Sequence, residues 1–271
     1  MSTLKSVISI AGSDSSGGAG IQADIKTIQA MGLFAQTAVT ALTAQNTMGV
    51  TGVAATSPEM IAAQIDAVFA DIIPDAVKIG MVPDGAAAHV IAVRLRAHGA
   101  RNVVVDPVMV ATSGAALADG DAVAVEAAEL FGMASVVTPN IPETEALLAL
   151  GGHEGARIES EGDAEQAAVT LAIHFNCAFL VKGGHGSHDA NDVIASADGT
   201  VAWLRAERVD NPNTHGTGCT LSSAIACGLA QGNDLPEAVA SAKEYLVGCL
   251  KAGLDLGHGS GPLDHNWAMR G

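Results

Sequence analysis

Apolar residues along the chain fall into two alternating patterns: short unbroken runs rich in valine and isoleucine, and longer stretches with helical spacing. Residues 6–11 (SVISIA) form the first run. They break into the glycine-rich turn GSDSSGGAG, after which IQADIKTIQAM carries the period of a helix. Residues 33–44 read as a second extended segment, with Thr and Val supplying β-branched bulk. Ser57-Pro58-Glu59 is a helix start, with a serine N-cap, proline at the first helical position and an acid in the first turn; it leads into MIAAQIDAVFADI. Then come AVKIG, a helix near residues 84–98, the strand NVVVD, a loop through Gly120 and the short strand SVVTPN.

Runs of Val and Ile without alternation predict strands buried on both faces, hence a largely parallel sheet covered by helices. Beyond residues 179–182 the pattern changes, because DVIASADGTVAWL places Asp198-Gly199 between alternating segments, a hairpin signal. Helical stretches over 217–231 and 235–252 follow, and no linker or low-complexity segment intervenes. The expectation is one three-layer α/β domain over residues 1–271, its mostly parallel central sheet flanked by helices, with a small antiparallel hairpin near one edge. Ligands of such sheets bind at the carboxyl ends of the strands. The loop at 110–120 and the Ser-Ala-Asp-Gly turn of the hairpin are candidates to close over that edge.

Composition narrows the ligand. Hydrophobic residues make up 49% and charged residues only 15%, while 29 acids against 13 bases leave a formal net charge of −16. That field repels phosphate backbones and anionic membranes, so a nucleic-acid or membrane-surface partner is excluded. A small anionic ligand needs local backbone donors or a metal to overcome it. The cysteines, Cys177, Cys219, Cys227 and Cys249, show no C-x-x-C pairing, and the amino-terminal apolar run is too short for a signal sequence. Free thiols and the lack of a membrane-length apolar stretch predict a cytoplasmic protein.

Chemistry-bearing residues cluster where strands are expected to end. The turn from Gly12 lets backbone approach a ligand, with Asp14 and Asp24 offering carboxylates nearby; Asp24 reads equally as a solvated acid of the first helical turn. Gln45 carries a donor and an acceptor on one planar group, suited to an aminated heteroaromatic ring, or is a loop glutamine in water. Asp106 terminates a buried strand, where an acid costs desolvation unless something uses it. With Glu143 it could hold magnesium directly or through waters, though Glu143, next to Pro142, also fits a first-turn dipole acid. Lys182 places a cation near phosphates or marks where its strand emerges into water. His185 and His188 read as solvated. In NTHGTGCTLSSA, a helix starting near Thr217 would leave the amides of Gly216, Thr217, Gly218 and Cys219 unsatisfied, an anion hole for a phosphoryl group in transit. The same field lowers a thiol pKa, making Cys219 a thiolate candidate able to accept a hydroxyl proton, whereas Cys227 and Cys249 read as small core residues.

In order along the chain, AGSDSSGGAGIQADIKT, TALTAQNT, KIGM, VVDPVM, TPNIPE, VKGGH and NTHGTGCTLSSA closely resemble the hydroxymethylpyrimidine/phosphomethylpyrimidine kinases of thiamin biosynthesis, in the ribokinase superfamily. The resemblance spans essentially the whole chain. It implies ATP, magnesium and two successive phosphorylations at one shared site, of 4-amino-5-hydroxymethyl-2-methylpyrimidine to its monophosphate and then its diphosphate. It also implies a homodimer and an eight-stranded central sheet.

Carried over position by position, the resemblance has Gln45 pairing with the aminopyrimidine. Gly12, Asp24, Met81 and Val108 line that pocket, with Asp24 near the hydroxymethyl group. Asn140 and Glu143 match an N-x-x-E motif that positions magnesium-bound phosphates, Lys182 reaches the nucleotide phosphates, and residues 216–219 form the anion hole. Most sugar kinases of the superfamily place aspartate where Cys219 stands. The alternative within the superfamily is bacterial-type pyridoxal kinase, which shares the cysteine; AQNT and KIGM favour the pyrimidine, with pyridoxal as a main or side activity otherwise.

Overall fold

In the computed structural model, which describes residues 4–109, 120–183 and 190–269, the alternating pattern folds as a layered sheet. Its strands are β1 (Ser6–Asp14), β2 (Phe34–Asn46), β3 (Gly49–Ala55), β4 (Ala76–Ile79), β5 (Val103–Val105), β6 (Val136–Val137), β7 (Ala178–Val181), β8 (Asp192–Ala195) and β9 (Val201–Leu204). They lie in the order β3-β2-β1-β4-β5-β6-β7-β8-β9. Strands β2 through β7 of that order are parallel, and β3, β8 and β9 are antiparallel additions at the two edges. The sheet therefore has nine strands rather than eight, because the exposed segment after Asn46 pairs back on β2.

The helices are α1 (Gly20–Ala30), α2 (Pro58–Phe69), α3 (Gly85–Ala97), α4 (Gly120–Glu129), α5 (Ile141–Leu150), α6 (Glu161–Phe175), α7 (Thr217–Gln231) and α8 (Leu235–Lys251). Successive strand residues feed opposite cores. Ile8, Ile79 and Val105 pack with α2 through α6, while Val7, Val104 and Leu180 pack with α1, α7 and α8. This two-sided burial is why the strands read as unbroken apolar runs. Helix starts follow local chemistry: Ser57 accepts from the Met60 amide above Pro58, and Asn140 and Glu143 form a reciprocal capping box. Helix α7 is buried along nearly its whole length, so it is the element that reads both the sheet and the helical layer.

One expectation changes and two lie outside the described residues. The Ser-Ala-Asp-Gly turn joins β8 to β9, and since β8 runs antiparallel to β7 the turn lies at the amino edge of the sheet, away from any site at the carboxyl ends. The loop at 110–120 lies outside the described residues except for Gly120, which begins α4; His185 and His188 also fall outside them.

Candidate active site

Chain order reverses between β1 and β4. From β1 the chain moves outward to β2 and β3, then returns to β4 on the other side. The crevice at their carboxyl ends is where such sheets bind ligands, and the predicted residues converge there. Gly12 and Met81 meet, since a Cβ on Gly12 would lie 2.9 Å from the Met81 sulfur. Val108 follows β5 by three residues and is half-buried. Gln45, at the end of β2, faces a cavity of about 380 Å³ that it lines with Asn46, Thr47, Met48, His215, Gly259 and Ser260. Gly12, Met81 and Val108 are not on that cavity's wall. The tail residues Gly259 and Ser260 carried no sequence signal of their own; they are brought in by hydrogen bonds from the His258 and Gly259 amides to the Thr47 hydroxyl.

Asp24 is not a solvated acid. It is wholly buried in the second turn of α1, and Lys78 Nζ donates to both of its oxygens at 2.9 Å. Ser223 of α7 donates to the same carboxylate at 2.8 Å, as does Ser9. Lys78, equally inaccessible, went unassigned in the sequence, although a lysine inside the run AVKIG signals a buried partner. Burial alone would depress its pKa, but Asp24, Cys219 and Asp106 outweigh that and hold it above the ordinary lysine value. This pair forms the floor beneath the start of α7.

Asp106 is buried and takes Lys182 Nζ at 2.8 Å, with Thr138 Oγ1 at 3.2 Å. Lys182 is only 14% exposed, so it does not mark a strand emerging into water. Burial opposes its charge, yet Asp106 and Glu143 keep its pKa raised. Glu143 is the first-turn acid of α5, its carboxylate capping the Asn140 amide at 2.7 Å, and it also lies among the acids around Lys182. Burial pushes it to about 7, with Asp106 adding to the rise and Lys182 opposing it. Glu126 of α4, which the sequence did not flag, is a third buried acid, raised by burial and then by Asp106 and Glu143. Burial and mutual repulsion thus favour protons on Glu143 and Glu126, protons that a divalent cation bound here would displace. Among the described residues no three acid, histidine or cysteine side chains converge to hold a metal directly. Magnesium would therefore fit here through one or two carboxylates plus waters and phosphate oxygens.

The start of α7 lies where the sequence places it, with one amide committed and one reading corrected. Gly216 caps α7 at φ 88°, without any side-chain cap. The Thr217 amide is spent on the Thr214 carbonyl at 3.3 Å; among the described residues those of Gly216, Gly218 and Cys219 meet no acceptor. Cys219, however, is half-buried and its surroundings disfavour the thiolate. Its burial outweighs the pull of Lys78 and raises the thiol to about 11, with Asp24 and Asp106 pushing the same way. The helix-start field was visible in sequence, but the desolvation was not. At pH 8 the thiolate fraction should fall about a hundredfold below that of a free cysteine. Iodoacetamide should accordingly modify Cys219 about that much more slowly than a model thiol, and labelling at the free-thiol rate would contradict the raised value. Cys227 and Cys249 are buried core residues.

Asp14 is not a ligand-facing carboxylate either. It accepts from the amides of Ser16, Gly18 and Ala19, from the Ser16 hydroxyl, and from His215 Nε2 at 2.8 Å. Burial would raise its pKa, but His215, Ser16 and the amides bring it to about 2. The two glycine-rich segments are thereby tied to each other. In a chain with a net charge of −16, this crevice gathers two lysines, each balanced by a buried aspartate, beside free amides, so the amides are the donors left for a phosphate.

Comparison with known proteins gives the family. A family model described as phosphomethylpyrimidine kinase matches residues 14–264. The hydroxymethylpyrimidine/phosphomethylpyrimidine kinase of Rhizobium meliloti is 50% identical over 261 residues, covering 95% of this chain and 96% of that one. Among solved structures, a phosphomethylpyrimidine kinase from Clostridium difficile shares 37% identity at a TM-score of 0.77, over 90% of this chain and 98% of that one. Bacillus subtilis pyridoxal kinase, solved as an ADP complex, shares 31% identity at a TM-score of 0.88, over 99% and 100% of the two chains.

Proposed function

The chain belongs to the phosphomethylpyrimidine kinase family and has its ribokinase-like fold, and from that premise we infer its reaction and how its residues divide the work. It is a phosphotransferase that uses ATP to convert 4-amino-5-hydroxymethyl-2-methylpyrimidine to the monophosphate and then to the diphosphate, supplying thiamin diphosphate synthesis. The observation that carries this reading is the junction of Gln45 with the cavity on one side and the unpaired amides at the start of α7, beside Lys182, on the other. Gln45 holds the ring through its amide. Gly12, Met81 and Val108 bound the ring's far side, and Asp24, fixed by Lys78, shapes the floor beneath the hydroxymethyl group.

Phosphoryl transfer runs through a loose transition state in which the protein contributes mainly position and charge. Lys182 reaches the nucleotide phosphates, and the amides of Gly216, Gly218 and Cys219 receive the phosphoryl oxygens as charge develops on them. Asn140 and Glu143, with Asp106, position magnesium through its waters; the ion supplies charge neutralisation on the phosphates. A neutral Cys219 is no strong base, which matters little in the second step, where the nucleophile is a phosphate already deprotonated near neutral pH. It also repels that anion less than a fixed carboxylate would.

Pyridoxal phosphorylation is the second reading, favoured by the near-complete structural overlap with Bacillus subtilis pyridoxal kinase. Coupled ADP release with each alcohol tests both: turnover with the pyrimidine is expected to exceed that with pyridoxal by at least about tenfold, and no ADP release with the pyrimidine would refute the assignment.

The ribbon of β2 and β3 exposes Leu42, Met48 and Val53, each more than half exposed, along an open strand edge. Edges of this kind are normally covered, and we assign this one to a homodimer; sedimentation at a single chain mass would contradict it. Four free cysteines fit a reducing compartment, the cytoplasm. Among the described residues no helix is long and apolar enough to cross a membrane.

A further inference from the structure

His215 sits where three parts of the site meet, and nothing in the phosphoryl chemistry yet uses it. Its Nε2 is 2.8 Å from Asp14 Oδ2, and both side chains are buried. Its ring fills the space a side chain at Gly18 would need, since a Cβ there would lie 2.4 Å from His215 Cδ2. The next residue, Gly216, touches the Gly18 carbonyl so closely that a Cβ would come within 2.0 Å of it. On its other side His215 Nε2 lies 3.4 Å from Gln45 Nε2. Its backbone amide donates to the Gly261 carbonyl at 3.3 Å, tying the same residue to the tail. The first glycine loop, the ring-binding glutamine and the anion hole thus share one contact point.

The direction of these hydrogen bonds follows from Asp14. Held ionised by four other donor groups, it can only accept, so His215 must carry its proton on Nε2 and give it to Asp14. That atom then has no lone pair to offer Gln45. The 3.4 Å approach is donor to donor, and the Gln45 N–H groups on that side remain uncommitted. They can donate to a ligand acceptor, such as the ring nitrogen of an aminopyrimidine.

We propose that His215, oriented by Asp14, is a positioning and specificity-determining residue that registers the anion hole against the first glycine loop and keeps the Gln45 amide available to a ring nitrogen. The proposal rests on the kinase reading above. Losing the imidazole should loosen ring binding and misplace the phosphoryl acceptor relative to the amides, while leaving the nucleotide contacts at Lys182 and Asn140 in place.

The test compares His215→Ala, His215→Gln, Asp14→Asn and the double variant Asp14→Asn/His215→Ala, with KM for pyrimidine, KM for ATP, kcat and thermal unfolding measured on each. For His215→Ala, KM for the pyrimidine should rise and kcat fall, each by about tenfold, with KM for ATP within about twofold of wild type. Glutamine, whose Nε2 can still donate to Asp14, should restore most of the loss even if His215→Ala folds poorly. The double variant should be no worse than His215→Ala, because the two residues act as one unit. Wild-type kinetics in His215→Ala, losses that multiply in the double variant, a His215→Gln as impaired as the alanine, or an equal rise in KM for ATP would each overturn the proposal. Failure of the wild type to turn over the pyrimidine would instead overturn the kinase reading.

Discussion

Gly218→Val is expected to abolish both phosphorylations, lowering kcat by about a thousandfold or more in each. The α carbon of Gly218 faces the charged pair directly: an added Cβ would stand 3.2 Å from Asp106 Oδ2 and 3.3 Å from Lys182 Nζ. Valine adds two further methyl groups at the spot where a transferred phosphoryl group must reach the amides. The helix itself should survive, since the obstruction meets the ends of the Asp106 and Lys182 side chains and not backbone. Gly218→Ala, with the Cβ alone, should lose much less. Product assays of both steps with a melting curve on each variant check this. A valine variant that stays folded and keeps more than a tenth of wild-type turnover would show that these amides are not where the phosphoryl group sits.

Lys78→Met is expected to cost about 3–5 kcal/mol of stability, because it strands the Asp24 carboxylate in the interior with only two hydroxyl donors. Both partners are completely buried, so solvent cannot compensate. Replacing both partners with apolar residues, Lys78→Met with Asp24→Leu, should recover much of the loss, since the desolvation penalty then disappears along with the attraction. Denaturant titration reads the difference. A single-variant loss below about 1 kcal/mol would mean that the pair is effectively solvated and does not anchor the start of α7.

Much of this architecture was legible in the residues, for identifiable reasons. Strands buried on both faces leave continuous Val and Ile runs, and helix starts leave Ser57-Pro58 and Asn140-Ile-Pro-Glu143, both observed as caps. The glycines at the start of α7 and Lys182 were legible as residues that end up together because their chemistry is local. What was not legible depends on residues far apart in sequence. Lys78 and Asp24 are 54 positions apart, and nothing near either one announces the other. The strand Gly49–Ala55 escaped notice because an exposed edge needs no apolar alternation. Cys219 shows the limit most clearly. Its position at a helix start argued for a thiolate, yet crowding of the half-buried side chain and two carboxylates within range push the thiol up instead.

The central claim is that one site, held by the amides at the start of α7, performs two successive phosphoryl transfers. A quenched time course with excess ATP, resolving pyrimidine, monophosphate and diphosphate, tests it most directly. The account predicts that monophosphate appears first and then declines as diphosphate accumulates, with both conversions lost together in Gly218→Val. A course that stops at the monophosphate, or a variant that loses one conversion and keeps the other, would contradict it.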